Sequence, residues 1–205
     1  MAPASISTED IKILSSTSRS LTLEFTPLNW NVDSLIVGGE LYQRLSFDGS
    51  EFRSRVGEPL IPARVAVIGI PLSHGQSLPI HYQILESVYQ EIPSIRLLPG
   101  PEAKVEDGFA WEIYSPDTRI YSSSEAYPGK VVEVEPPGYF RDQRIVRMVF
   151  FPLQYFPQNK VARRYDRLVI KIDFIEAPDA PAPANSAGAT RNSSPATAPR
   201  PAGLP

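Results

Sequence analysis

The chain contains no cysteine, and only two histidines and two methionines, in 205 residues. Without cysteine there is no disulfide, no thiolate metal site and no cysteine nucleophile in this chain. His74 and His81 lie seven positions apart across Gly75 and Pro79, with no third ligand in sight, so no metal is expected. Positive charge is not in excess: the net charge is −3 and the isoelectric point about 5.5, which argues against a nucleic-acid or anionic-membrane partner. No apolar run reaches the length of a membrane span. Met1-Ala2-Pro3-Ala4-Ser5 lacks the cationic and apolar regions of a signal peptide, so the sequence reads as a piece excised from a precursor.

Catalytic patterns are equally scarce. No G-x-S-x-G elbow accompanies Ser122-Ser123-Ser124, and Gly38-Gly39 stands without the further glycines of a phosphate loop. Glu133 and Glu135 share one face of an extended segment, the ordinary pattern of a solvated strand. Glu106-Asp107 is an adjacent pair whose side chains diverge in extended backbone. No catalytic residue and no cofactor are expected.

What the chain does contain is period-two alternation. Strands are expected at Ile11–Leu14, Leu21–Phe25, Leu41–Ser46, Ala63–Ile70, Ile80–Tyr89, Phe109–Tyr114, Val131–Glu135, Ile145–Phe151 and Leu168–Ile175. Ile80–Tyr89 also fits two or three helical turns. Leu168, Ile170, Ile172 and Phe174 fall on one buried face. Pro152-Leu153-Gln154-Tyr155 is expected to break the ladder, since proline donates no backbone hydrogen bond. A hairpin turn follows at Phe156–Lys160, with Asn159 as its left-handed residue. Residues 128–174 thus read as an antiparallel meander. With 22 prolines and no sustained helical stripe, the fold class is all-β, an antiparallel sandwich or half-open barrel. It is expected to occupy residues 1–176. Residues 177–205, built from Ala, Pro, Ser, Asn and Thr, cannot bury enough surface to offset ordering entropy and read as a disordered linker.

Several elements occur in an order that resembles a known family. Gly57-Glu58-Pro59-Leu60-Ile61-Pro62 is similar to a G-x-P-x-L-P element. Tyr127-Pro128-Gly129, Arg144-Ile145-Val146, Pro152-Leu153-Gln154-Tyr155 and Leu168-Val169-Ile170-Lys171-Ile172 follow at matching intervals. Together they resemble the N-terminal propeptide domain of gingipain-type cysteine peptidases, most clearly over 57–71 and 114–174. The resemblance implies an all-β domain that keeps a cognate cysteine peptidase catalytic domain latent and assists its folding, in a bacterial protein that is secreted or cell-surface.

Such peptidases cleave after Arg or Lys, and the propeptide's inhibitory loop places a basic residue in the specificity pocket, where a carboxylate would pair with it. Here Leu98–Gly108 reads as a polar, Pro/Gly-bounded loop. By order along the chain Lys104 falls nearest the inhibitory position, with Arg119 the alternative. Arg191 and Arg200, among small residues of the linker, are the processing candidates. A monomer is expected. A different reading treats the chain as a cell-surface β-sandwich binding carbohydrate or protein, with Trp30, Trp111, Tyr114, Tyr121 and Tyr127 as stacking platforms. Arg141, Arg144, Arg147, Arg163 and Arg164 would then, or in either case, form a basic stripe across neighbouring strands.

Overall fold

The structure is a computed structural model and describes residues 9–71 and 80–174. Fourteen strands and one short helix follow one another among these residues. They are β1 (Ile11–Ser16), β2 (Ser20–Phe25), β3 (Asn31–Val37), β4 (Glu40–Ser46), β5 (Glu51–Phe52), β6 (Pro62–Gly69) and β7 (Ile80–Ile92). Then come β8 (Glu102–Glu106), β9 (Phe109–Ile113), α1 (Thr118–Tyr121), β10 (Val132–Val134), β11 (Gly138–Phe140), β12 (Gln143–Phe150), β13 (Leu153–Phe156) and β14 (Val161–Phe174).

Two five-stranded antiparallel sheets form the body. In the first, β14 pairs with β7 along one side and with both β13 and β2 along the other, with β1 outside β2. In the second, β12 lies between β6 and the pair β10 and β11, with β5 outside β6. The sheets face each other as a sandwich and do not close into a barrel. Alternation explains the packing: Leu21, Leu23 and Phe25 of β2 meet Val146, Met148 and Phe150 of β12, with Leu168, Ile170 and Ile172 of β14 in the same cluster. The Phe25 and Phe150 rings lie 4.8 Å apart across the interface. Each such side chain removed from water stabilises the fold by about 1.5–3 kcal/mol.

Three expectations for residues 128–174 are corrected. Residues 128–174 are not one meander: Pro152 marks the point where the chain leaves β12 in one sheet and enters β13 in the other. Leu153–Phe156 is itself a strand, so proline ends one ladder and another begins at once. In the turn after it, the left-handed residue is Lys160 (φ 51°), not Asn159. Ile80–Tyr89 is strand, extended to Ile92, because its side of β14 offers twelve paired positions. The expected buried face of β14 is present, with Phe174 only half-buried. The expected 177–205 linker lies outside the described residues.

Candidate functional site

Two further hairpins, β3–β4 and β8–β9, belong to neither sheet. Both turn through paired residues of positive φ: Gly38 and Gly39 at 59° and 83°, Asp107 and Gly108 at 51° and 82°. These dihedrals are those of the type I′ turn, whose twist matches that of the flanking strands. Asp-Gly is its strongest sequence signal. Leu98–Gly108 is therefore not the loop expected from its polarity. Glu102–Glu106 is a strand, in register with Phe109–Ile113 so that Lys104 lies directly across from Trp111.

An isolated two-stranded hairpin is only marginally stable, and this one is held at its foot. Leu98-Pro99-Gly100 runs between β4 and residues 55–60. Leu98 N–H donates to Gln43 O (2.8 Å), and Leu98 O accepts from Leu60 N–H (2.8 Å). Gly100 O accepts from Gly57 N–H (2.9 Å), and Gly100 N–H donates to Glu58 O (2.7 Å). The approach leaves no room for a side chain: a Cβ on Gly100 would stand 2.3 Å from Arg55 O. Below the foot, Tyr42, Leu60 and Leu98 form a small core against which Val37, Tyr114 and Tyr121 pack.

The floor is built from the sequence elements singled out above. Tyr127 and Tyr155 exchange backbone hydrogen bonds of 2.8 and 2.7 Å, the Tyr127 hydroxyl donates to Glu58 Oε2 (2.7 Å), and Gln154 Nε2 donates to Pro128 O (3.0 Å). Tyr121 donates to Leu97 O (2.8 Å), and Tyr155 to Ile95 O (3.3 Å). Burial pushes the Tyr121 and Tyr127 phenols well above the ordinary tyrosine range and raises that of Tyr155; at Tyr127 the Glu58 carboxylate adds to the effect.

Above the floor the hairpin stands in solvent. Side chains of one strand alternate between faces, so Glu102, Lys104 and Glu106 share a face with Ile113, Trp111 and Phe109. Phe109 is 76% exposed, Val105 74%, Trp111 43% and Ile113 39%. The Lys104 ammonium pairs with Glu102, and the Tyr114 hydroxyl donates to Glu112, which holds that phenol above its usual range. Lys104 stands four residues beyond Gly100, roughly 13 Å along the hairpin at the usual strand rise. It is mid-strand; the tip is the acidic Asp107-Gly108.

Arg119 is elsewhere. It is exposed on α1, below the hairpin's exit, where Asp117 caps the helix by accepting from Arg119 N–H (2.8 Å). Arg191 and Arg200 lie outside the described residues, as does His74. His81 is exposed on β7, opposite Asp173. Among the described residues no group of three His, Asp or Glu is placed to hold a metal. Both oxygens of Glu135 face arginines, Arg53 at 2.9 Å and Arg147 at 3.6 Å, so Glu135 is an ion-pair hub beside Glu133.

The five aromatic residues do not converge as a platform. Trp30 stacks on Phe47 (5.1 Å) beneath Arg164, and Tyr114, Tyr121 and Tyr127 are committed to the contacts above, leaving Trp111 alone exposed. Nor do the arginines form one stripe. Arg144 is buried and Arg147 is paired on β12, whereas Arg163 and Arg164 belong to β14 in the other sheet. Arg163 lies between the Tyr89 and Phe156 rings (4.4 and 5.2 Å), paired with Glu91. Sequence reasoning missed β3 entirely, although Gly38-Gly39 at its end was in view.

The described residues thus form an antiparallel β-sandwich from which the β8–β9 hairpin projects, its foot held by residues 55–60 and β4. A family model described as Propeptide_C25 matches residues 5–190, and the chain belongs to that family, the propeptides of gingipain-type cysteine peptidases. It is thus a prodomain rather than a catalytic unit. Two solved structures share the fold. One is the complex of Porphyromonas gingivalis RgpB pro- and mature domains, at 18% identity and TM-score 0.73, covering 82% of this chain and 84% of that one. The other, from a study of the zymogenic latency of gingipain K from the same organism, matches at 17% identity and TM-score 0.65, covering 80% and 92%. No curated protein matches the sequence.

Proposed function

We propose that this domain keeps a gingipain-type cysteine peptidase latent by presenting Lys104, on the β8–β9 hairpin, to the peptidase's specificity pocket. One observation carries the reading: Lys104 is the single cation of a hairpin that stands clear of the body while its foot is locked into the floor. Preorganising the segment in the free domain lowers the ordering cost of binding. An ammonium on a strand can reach a pocket carboxylate once its exposed pair with Glu102 is exchanged for one of lower dielectric. The blocking segment is then a hairpin side rather than a loop tip. Extended backbone in the cleft is protected from cutting by its cross-strand partner.

Contacts made to the native catalytic domain also stabilise it, which is the basis for assistance in folding. Release follows cleavage at Arg191 or Arg200, and the pair acts outside the cell or at its surface. Arg119, exposed beside the hairpin's exit, serves as the comparison residue.

The test is titration of the mature cognate peptidase, with mature RgpB and gingipain K as further probes, by the wild-type domain and its Lys104→Ala and Arg119→Ala forms. Lys104→Ala is expected to weaken inhibition by about 2–5 kcal/mol in a desolvated pocket, and Arg119→Ala to leave it unchanged. Equal inhibition by wild type and Lys104→Ala removes Lys104 from the mechanism.

A further inference from the structure

The hairpin that carries Lys104 has a second property that blocking a pocket does not use. Its twelve residues hold four carboxylates, Glu102, Glu106, Asp107 and Glu112, against one lysine, an excess as large as the net charge of the whole chain. Between them stand Phe109, Trp111 and Ile113 on one face and Val105 on the other, all four exposed. Glu102 is neutralised by Lys104 and Glu112 accepts from Tyr114, but Glu106 and Asp107 at the tip make no ion pair among the described residues. Single exposed apolar residues are unremarkable on a protein surface; three on one face of a small hairpin beside unpaired acids are a patch.

We propose that Phe109 and Trp111 are docking anchors that seat in an apolar groove with a basic rim on the mature peptidase domain, bordering the pocket filled by Lys104, which lies directly across from Trp111. This rests on the propeptide reading above. Charge selects the occupant. A second copy of this chain would bring a second acidic hairpin tip against the first, and like charges at an interface oppose association. A folded partner with basic residues around an apolar groove meets both the aromatic face and the free carboxylates.

Size fits as well. The β3–β4 hairpin rests on the same Tyr42–Leu60–Leu98 core and exposes Val32, Leu35, Ile36 and Leu41. Eleven of the sixteen residues Asn31–Ser46 and eleven of the twelve Glu102–Ile113 are exposed, together in the range of about 20–30 that one side of a standard interface uses. Within such an interface, large aromatic residues carry most of the binding energy.

Binding kinetics of the full domain with the cognate mature peptidase, and with mature RgpB and gingipain K, separate the two roles. The double variant Phe109→Ser/Trp111→Ser is expected to dissociate roughly tenfold faster or more, with its thermal unfolding unchanged. Glu106→Lys keeps both aromatic anchors; it is expected to slow association and flatten its dependence on salt, a signature of lost electrostatic steering. Lys104→Ala is expected to lose the pocket contact, weakening inhibition and binding together, while the aromatic contact still slows its dissociation. If wild type and Lys104→Ala bind but the double variant dissociates at the wild-type rate, the docking proposal is overturned and the latency reading stands. If the wild-type domain binds none of the three peptidases, the latency reading falls and the docking proposal with it.

Discussion

Replacing Gly100 with alanine tests whether the hairpin foot governs both stability and function. The added methyl would stand 2.3 Å from Arg55 O and 3.1 Å from Arg55 C, both backbone atoms that no rotamer change can move. Ordinary contact demands about an ångström more, so either residues 55–58 or the foot must shift. Three backbone hydrogen bonds lie in the path: Gly57 N–H to Gly100 O (2.9 Å), Gly100 N–H to Glu58 O (2.7 Å) and Leu60 N–H to Leu98 O (2.8 Å). Overpacking costs about 1–3 kcal/mol, and one buried group left unpaired about 1–3 more. A loss near 3 kcal/mol follows, and for a domain of this size each kcal/mol lowers the Tm by roughly 2–4 °C.

Scanning calorimetry should therefore show a drop of ~6–12 °C. Amide exchange at Gly57, Leu60 and Gly100 should accelerate before that of Leu168 or Ile170 in the central strand, because the lesion is local. Inhibition of the mature peptidase should weaken as well, since a detached foot no longer fixes where Lys104 points. Gly129→Ala is the control: nothing lies within 4 Å of its Cβ and its backbone needs no positive φ, so stability should stay level or rise by about 0.4–1 kcal/mol. A Gly100→Ala domain within ~0.5 kcal/mol of wild type, with unaltered exchange at Leu60, would refute the claim that the foot is a rigid support.

Two further outcomes follow from the site. Glu102→Gln removes the carboxylate that holds the Lys104 ammonium in the free domain; because exposed pairs are worth about 0.2–1 kcal/mol, inhibition should tighten by roughly one- to fivefold, and weaker inhibition would show that Glu102 positions the lysine instead. Burial raises the Tyr121, Tyr127 and Tyr155 phenols in the folded state, so above about pH 10 the unfolded chain loses these protons first. Their contribution is complete below pH ~10 and declines as pH rises further, by up to about 1.4 kcal/mol per pH unit for each phenol. Urea unfolding between pH 9 and 11.5 should show this fall, reduced in Tyr121→Phe; a flat profile would contradict the burial of the floor.

How much of this was legible in the sequence depends on what each strand packs against. β2 alternates half-buried and buried along its length, and β14 and β12 keep one face on the common core, so their period of two is written in Leu, Ile, Val and Phe. β7 lies along the outer side of β14 and carries Gln83, Glu86, Ser87 and Gln90 among its apolar residues. Its pattern has no single face, which is why it also fitted a helix. β3 and β8 are clearer still: every residue of β3 except Val37 is exposed, and so is every residue of β8 except half-buried Lys104. With no core beneath, hydrophobic period says nothing. The only local signals were the turns, Gly38-Gly39 and Asp107-Gly108.

Those turns also explain why the residue proposed to fill the pocket, expected in a loop, lies in a strand. Lys104 looked like a loop residue because its neighbours are Glu102, Ala103, Val105 and Glu106, a polar run bounded by Gly100 and Gly108. Backbone pairing across to Trp111 makes it a strand residue instead, with a fixed face and a fixed height above the foot. The sequence elements that carried the family resemblance, Gly57–Pro62, Tyr127-Pro128-Gly129 and Pro152–Tyr155, contain none of the proposed binding residues. They meet through Glu58, Tyr127 and Tyr155, directly beneath the foot. Most of that signature follows from geometry. A foot hydrogen-bonded to residues 57–60, which Glu58 ties to Tyr127 and Tyr127 ties to Tyr155, restricts which residues those segments hold, whereas a hairpin in solvent is constrained only by its partner. The floor is therefore where relatives should agree, and the hairpin's side chains are where specificity for one peptidase has room to differ.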